Sequence, residues 1–141
     1  FTEGGAFFDL LFVISPGQPP DKHDLNAIPL MSELTATIGD IHAKWPEAVP
    51  APAWPAPGGL LYVGGTTTTH SIYWKTDGAE TSWTCMISDY GCDNWFEWGG
   101  DLTSLLAAIV TGRVPEWILE GAPRIPLVFV DLDTASRACL T

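Results

Sequence analysis

The sequence predicts an α+β domain: a mostly antiparallel or mixed sheet with helices packed mainly on one face. Two observations carry this. From Gly59 to Trp98, short alternating segments follow one another, each ended by turn residues. Short turns join only antiparallel neighbours, so the series implies a meander. On either side lies a segment with the apolar period of a helix, one before Pro46 and one after Asp101. The 141 residues suit one domain, 1–141, with a core that needs no disulfide or metal to hold it. The chain has no initiator Met, and its N-terminus is expected to be cropped.

Taken in order, Ala6–Ser15 (AFFDLLFVIS) reads as a buried strand or a short helix, ended by Pro16-Gly17. A turn-rich loop follows. From Leu25 to Trp45 the period is helical, with Leu30, Leu34, Ile38 and Ile41 on one face and Pro46 as the stop. Ser32 and Thr35 weaken that helix slightly. Pro46–Gly59 is rich in Pro and Ala, which denies it helical hydrogen bonds and favours extended geometry. It is expected to be an ordered crossover loop, because the roughly 45 residues before it are too few for a core of their own.

GLLYVGG, HSIYWKT, SWTCMIS and NWFEW read as strands, and VGGTTTTH, DGAE and DYGCD as the turns between them. Alternation places Ile72 with Trp74, and Trp83 with Cys85 and Ile87. In NWFEW it places Phe96 and Trp98 toward the helices, and Trp95 with Glu97 on the opposite side. The helix after Asp101 is the best specified. Asp101 is a good N-cap, Leu102, Leu105, Leu106, Ile109 and Val110 form one stripe, and Gly112 suits a left-handed C-cap. PEWILEG adds a short helical turn, and IPLVFVDLD reads as a last strand.

Charge narrows the function. There are 17 acidic against 6 basic residues, a net charge of -11, and the bases are scattered. Phosphate neutralisation needs clustered Lys and Arg, so nucleic acid is excluded as a partner, and an anionic membrane with it. No apolar run approaches the ~20 residues of a membrane-spanning helix. An acidic surface suits a basic partner, since opposite fields speed encounter. Three cysteines without a pairing pattern give no disulfide framework, and a reducing, cytoplasmic location is expected.

Chemistry is not written in the motifs. VGGTTTTH lacks the Gly-Lys-Ser/Thr of a phosphate loop, and no Gly-x-Ser-x-Gly elbow occurs. His23, His42, His70, Cys85 and Cys92 lack the close pairs that give a metal two local ligands. His23, His42 and His70 read instead as isolated polar residues on loops or a helix surface. No cofactor, metal or catalytic residue is therefore expected. Asp89, Asp93 and Glu97 lie near one another, and Asp77 shares a turn with Glu80. Solvated turns explain them more plainly than a pair of glycosidase acids, whose separation must be fixed. The aromatic residues are read mainly as core, with Trp95 the candidate surface anchor.

The order of Pro57-Gly58-Gly59-Leu60-Leu61, Tyr73-Trp74-Lys75-Thr76-Asp77-Gly78, Trp83 and the helix Leu102 to Gly112 resembles the SUKH superfamily. That group holds fungal cell-wall-synthesis regulators of the Smi/Knr type and many bacterial immunity proteins. The similarity runs to about Gly121, with Val63-Gly64 standing where the family commonly has Trp-Gly. The resemblance implies an α+β fold and no enzymatic activity. It also implies an antitoxin that blocks a polymorphic or contact-delivered toxin, often a nuclease. A nuclease cleft is basic, which agrees with the acidic balance here. The expected partner is thus a basic toxin domain, occluded by Asp77, Glu80, Asp89, Asp93, Trp95 and Glu97. These six are chosen on exposure and charge rather than carried over from the family. The alternatives are a regulatory or scaffolding interaction module of the cell-wall type, and a carboxylate hydrolase whose site assembles in space.

Overall fold

The computed structural model of the chain describes residues 5–7, 11–13, 27–66, 68–120 and 129–131. The elements are β1 (Gly5–Phe7), β2 (Leu11–Val13), α1 (Ala27–Lys44), β3 (Gly59–Thr66), β4 (Ser71–Thr76), β5 (Thr84–Ser88), β6 (Trp95–Trp98), α2 (Leu102–Val110), α3 (Glu116–Leu119) and β7 (Phe129–Asp131). A 3-10 turn at Glu80–Ser82 precedes β5. The strands form one antiparallel sheet of seven in the order β6-β5-β4-β3-β2-β1-β7.

The α+β class and the antiparallel meander from β3 to β6 follow the sequence pattern. One element differs. Ala6–Ser15 is not a single strand or helix, because β1 and β2 pair with each other, Gly5 opposite Val13. The run lacks Gly and Pro, and Asp9 is the one turn-favouring residue between the two strands, so the sequence signals the reversal only faintly.

Two of the helices share one face of the sheet, and the longest takes the other. Beneath α2 and α3 lie Val63, Ile72, Cys85 and Ile87, packed against Leu102, Leu105, Leu106, Ile109 and Ile118. On the opposite face Leu60, Tyr62, Tyr73 and Met86 meet Ile38 of α1 with Val49 and Ala51 of the Pro-rich loop. The reason is in the strands. Successive residues of Leu60–Val63 and Cys85–Ile87 are apolar on both faces, and each face needs a cover. Burying a side chain such as Ile87 or Leu105, each 0% exposed, contributes about 2 kcal/mol.

Thr35, expected to weaken α1, is buried and useful: its hydroxyl accepts the Tyr62 N–H at 3.1 Å. That N–H lies beside the β3 irregularity between Tyr62 and Gly64. The Pro-rich loop is tied on both sides. His42 Nδ1 on α1 lies 3.0 Å from the Val49 carbonyl, so that ring nitrogen carries the proton and donates. Pro52 and Leu60 bond through the Leu60 N–H at 2.8 Å, and Trp54 N–H returns to Leu60 at 3.0 Å. Gly59 sits inside this knot, where a Cβ would lie 2.7 Å from backbone atoms of Ala53 and Ala56. No other residue fits there.

At the far end of the meander, the Asp101 side chain accepts the Ser104 N–H at 2.8 Å and starts α2. Arg113 N–H reaches the Ala108 carbonyl and Gly112 N–H the Ile109 carbonyl, with Gly112 at φ 71. This pair of bonds is the Schellman closure of a helix, and it needs the left-handed glycine.

Candidate functional site

The turn between β5 and β6 is built around one carboxylate. Asp89 Oδ1 accepts the N–H groups of Asp93 at 2.8 Å and Asn94 at 3.3 Å, and Oδ2 accepts the Asn94 side-chain amide at 2.7 Å. The backbone adds Cys92 N–H to the Asp89 carbonyl and Asp89 N–H to the Asn94 carbonyl, both at 3.2 Å. Cys92 takes the left-handed conformation, φ 58, that this tight reversal requires. Its carbonyl then accepts from the Trp95 indole at 3.1 Å. Burial pushes the Asp89 carboxyl up, but the Asn94 and Asp93 hydrogen bonds and the nearby His70 outweigh it. The group is held below the usual carboxylate range.

Tyr90 is carried at the tip of this frame and is 86% exposed. Alternation along the strands does not reach it. The signal was nonetheless present, because a turn-tip aromatic belongs to no strand face and has no core to enter. Trp45, just before the Pro-rich loop, and Trp54, within it, are also exposed.

The six sequence-chosen residues do not form one patch. Asp89 and Asp93 belong to the turn just described, with Asp93 exposed. Asp77 and Glu80 are exposed in the β4–β5 connection, at the other end of β5. Five strand residues separate the two groups, a span of about 17 Å. That exceeds the roughly 5–9.5 Å between paired glycosidase acids. Glu97 is exposed in mid-strand but holds Lys75 Nζ at 2.8 Å.

Trp95 is placed differently from the rest. It is half-buried against Tyr73, ring centroids 5.7 Å apart, within the core on the α1 face. Its indole N–H is shared between the carbonyls of Ala48, at 2.8 Å, and Cys92. The ring pins the Pro-rich loop to the sheet, and little of it is left as a free anchor.

No family model, curated protein or solved structure matches the chain. The site is therefore read from its own geometry. Burial, with a smaller push from Asp101, raises the Cys85 thiol to about 12, so at neutral pH it remains a thiol and packs as a small apolar group. Cys92 is also raised, by burial and by the charges of Asp89 and Asp93. His70 is buried rather than a surface group. Its ring lies within 3.0 Å of the Thr66 hydroxyl and 3.1 Å of Thr68, with Trp117 packed on it. It closes the β3–β4 hairpin. Among the described residues, no three His, Cys, Asp or Glu side chains gather to hold a metal ion. Among the same residues, no helix is long and apolar enough to cross a membrane.

Proposed function

We propose that this chain is a non-enzymatic binding protein of the immunity type, which neutralises a basic toxin domain, such as a nuclease, by covering its active site. The observation that carries the reading is Tyr90 displayed on a prebuilt acidic turn. The hydrogen-bonded turn beneath the ring is already ordered, so little backbone entropy is lost there on binding, and Tyr is enriched among the residues that dominate interface energetics. Asp89 and Asp93 beside it, on a chain of net charge -11, favour a positively charged partner. The motif order that resembles the SUKH superfamily supports the same class. The site is thus narrower than the six-residue set: the β5–β6 turn is its centre, and Asp77 and Glu80 lie apart from it.

The test is rescue from toxicity. Basic toxin domains encoded beside this gene are expressed with the wild-type chain or with Tyr90→Ala. The wild type is expected to restore growth and to bind more weakly as salt rises. Tyr90→Ala is expected to lose about 2 kcal/mol of binding, roughly thirtyfold, at unchanged thermal stability. Neutralisation of no such toxin, or Tyr90→Ala binding as tightly as wild type, would refute the assignment.

A further inference from the structure

β6 is an end strand of the sheet, paired only with β5 among the described residues. The pairing fixes which of its backbone groups are used. Asp89 N–H donates to the Asn94 carbonyl, and the register continues as Ser88↔Trp95, Ile87↔Phe96, Met86↔Glu97 and Cys85↔Trp98. Bonded and non-bonded pairs alternate in an antiparallel ladder. Asn94, Phe96 and Trp98 therefore direct their N–H and C=O groups toward β5. Trp95 and Glu97 direct theirs outward, and no backbone hydrogen bond from the described residues reaches them. The strand carries no Pro, and its register with β5 is unbroken. Pro and a bulge, two of the devices that usually blunt an edge, are thus absent from β6.

The surrounding charges select the occupant. Asp93 precedes the strand, Asp101 follows it, and Glu97 lies within it, all three exposed. Lys75, whose Nζ meets Glu97, lies two strands in from the edge and not along it. A second copy pairing on this edge would bring one acidic margin alongside another, a like-charge approach that disfavours it. An extended basic segment meets the opposite charge. We propose that the β6 edge accepts an extended Lys- or Arg-bearing segment of the partner as an added strand. The outward groups of Trp95 and Glu97 supply the main-chain bonds. This rests on the binding reading above and names how the partner is held.

The probe is a synthetic peptide of alternating Lys and Val, compared with its Glu and Val twin, with amide hydrogen exchange read residue by residue. The Lys peptide is expected to slow exchange at Trp95 and Glu97 at least about tenfold, and the Glu twin to leave it unchanged. Glu97→Pro removes the outward N–H at a position where an edge tolerates Pro. It is expected to bind at least about tenfold more weakly than Glu97→Ala, which keeps that N–H. Should Glu97→Pro fail to fold, the wild-type exchange data decide alone. Absence of peptide binding, or binding without protection at Trp95 and Glu97, overturns the edge proposal. Concentration-dependent protection without peptide, with a dimer in sedimentation, identifies a second copy as the occupant and overturns it as well. Toxin rescue still reports separately on the immunity reading, so the two failures are distinguishable.

Discussion

Trp95 separates two views of the aromatic strand, and its substitution discriminates between them. A surface anchor can be truncated without harm to the fold. A ring that pins a loop cannot. Trp95→Phe keeps most of the packing on Tyr73 but leaves the Ala48 and Cys92 carbonyls without the indole N–H. One net hydrogen bond is worth about 1 kcal/mol. Trp95→Ala also removes the ring. Truncating a fully buried Trp costs about 3–5 kcal/mol, and half-burial here reduces that to about 2–3 kcal/mol. In a domain of this size each kcal/mol moves the melting temperature by about 4 °C, so losses of about 4 °C for Phe and about 10 °C for Ala are expected. Urea and thermal unfolding followed by far-ultraviolet circular dichroism avoid the loss of a fluorophore. If Trp95→Ala unfolds with the wild-type midpoint while partner affinity collapses, the pin is wrong and the ring is an anchor.

Three further outcomes are expected. Asp89 is held below its ordinary pKa, so the stability it contributes is present above the unfolded value of about 3.9 and is lost as pH falls through it toward the lower folded value. Asp89→Ala is expected to flatten this acid limb and, after allowance for solvent screening, to cost about 1 kcal/mol at neutral pH, as an acid titration of ellipticity will show. Gly59→Ala forces a Cβ onto the backbone of Ala53 and Ala56, and chemical denaturation is expected to report a loss of about 3 kcal/mol, the upper end of overpacking. Native-state alkylation near neutral pH, mapped by mass spectrometry, is expected to label Cys92 well before Cys85, and equal rates would contradict the buried, raised thiol.

The parts of the fold that were legible in the sequence obey local rules. Asp101 caps α2 because a short carboxylate there reaches the Ser104 N–H, and Gly112 ends it because only glycine takes φ 71 readily. Period-2 alternation correctly set Phe96 and Trp98 on the α2 side, opposite Trp95 and Glu97. What escaped depends on contacts distant in sequence. The Trp95 indole meets Ala48, 47 positions upstream, and the Tyr62 N–H meets Thr35, 27 positions upstream. No local pattern announces either. The division of the acidic residues was partly readable, because a strand of five residues must separate the turns at its two ends. Tyr90 is readable too, because a turn residue belongs to neither strand face.

The sheet joins neighbours of very different reach. β3 to β6 are linked by short turns, whereas β1 and β7 pair from opposite ends of the sequence. Closing a long loop costs entropy before any contact rewards it, and such pairings slow folding. The meander with α2 is therefore the natural first unit to consolidate. β1 must wait for β7 to be synthesised before its outer side is paired. Until then the nascent chain carries an unprotected strand margin, and that interval is when it is most open to mispairing with other chains.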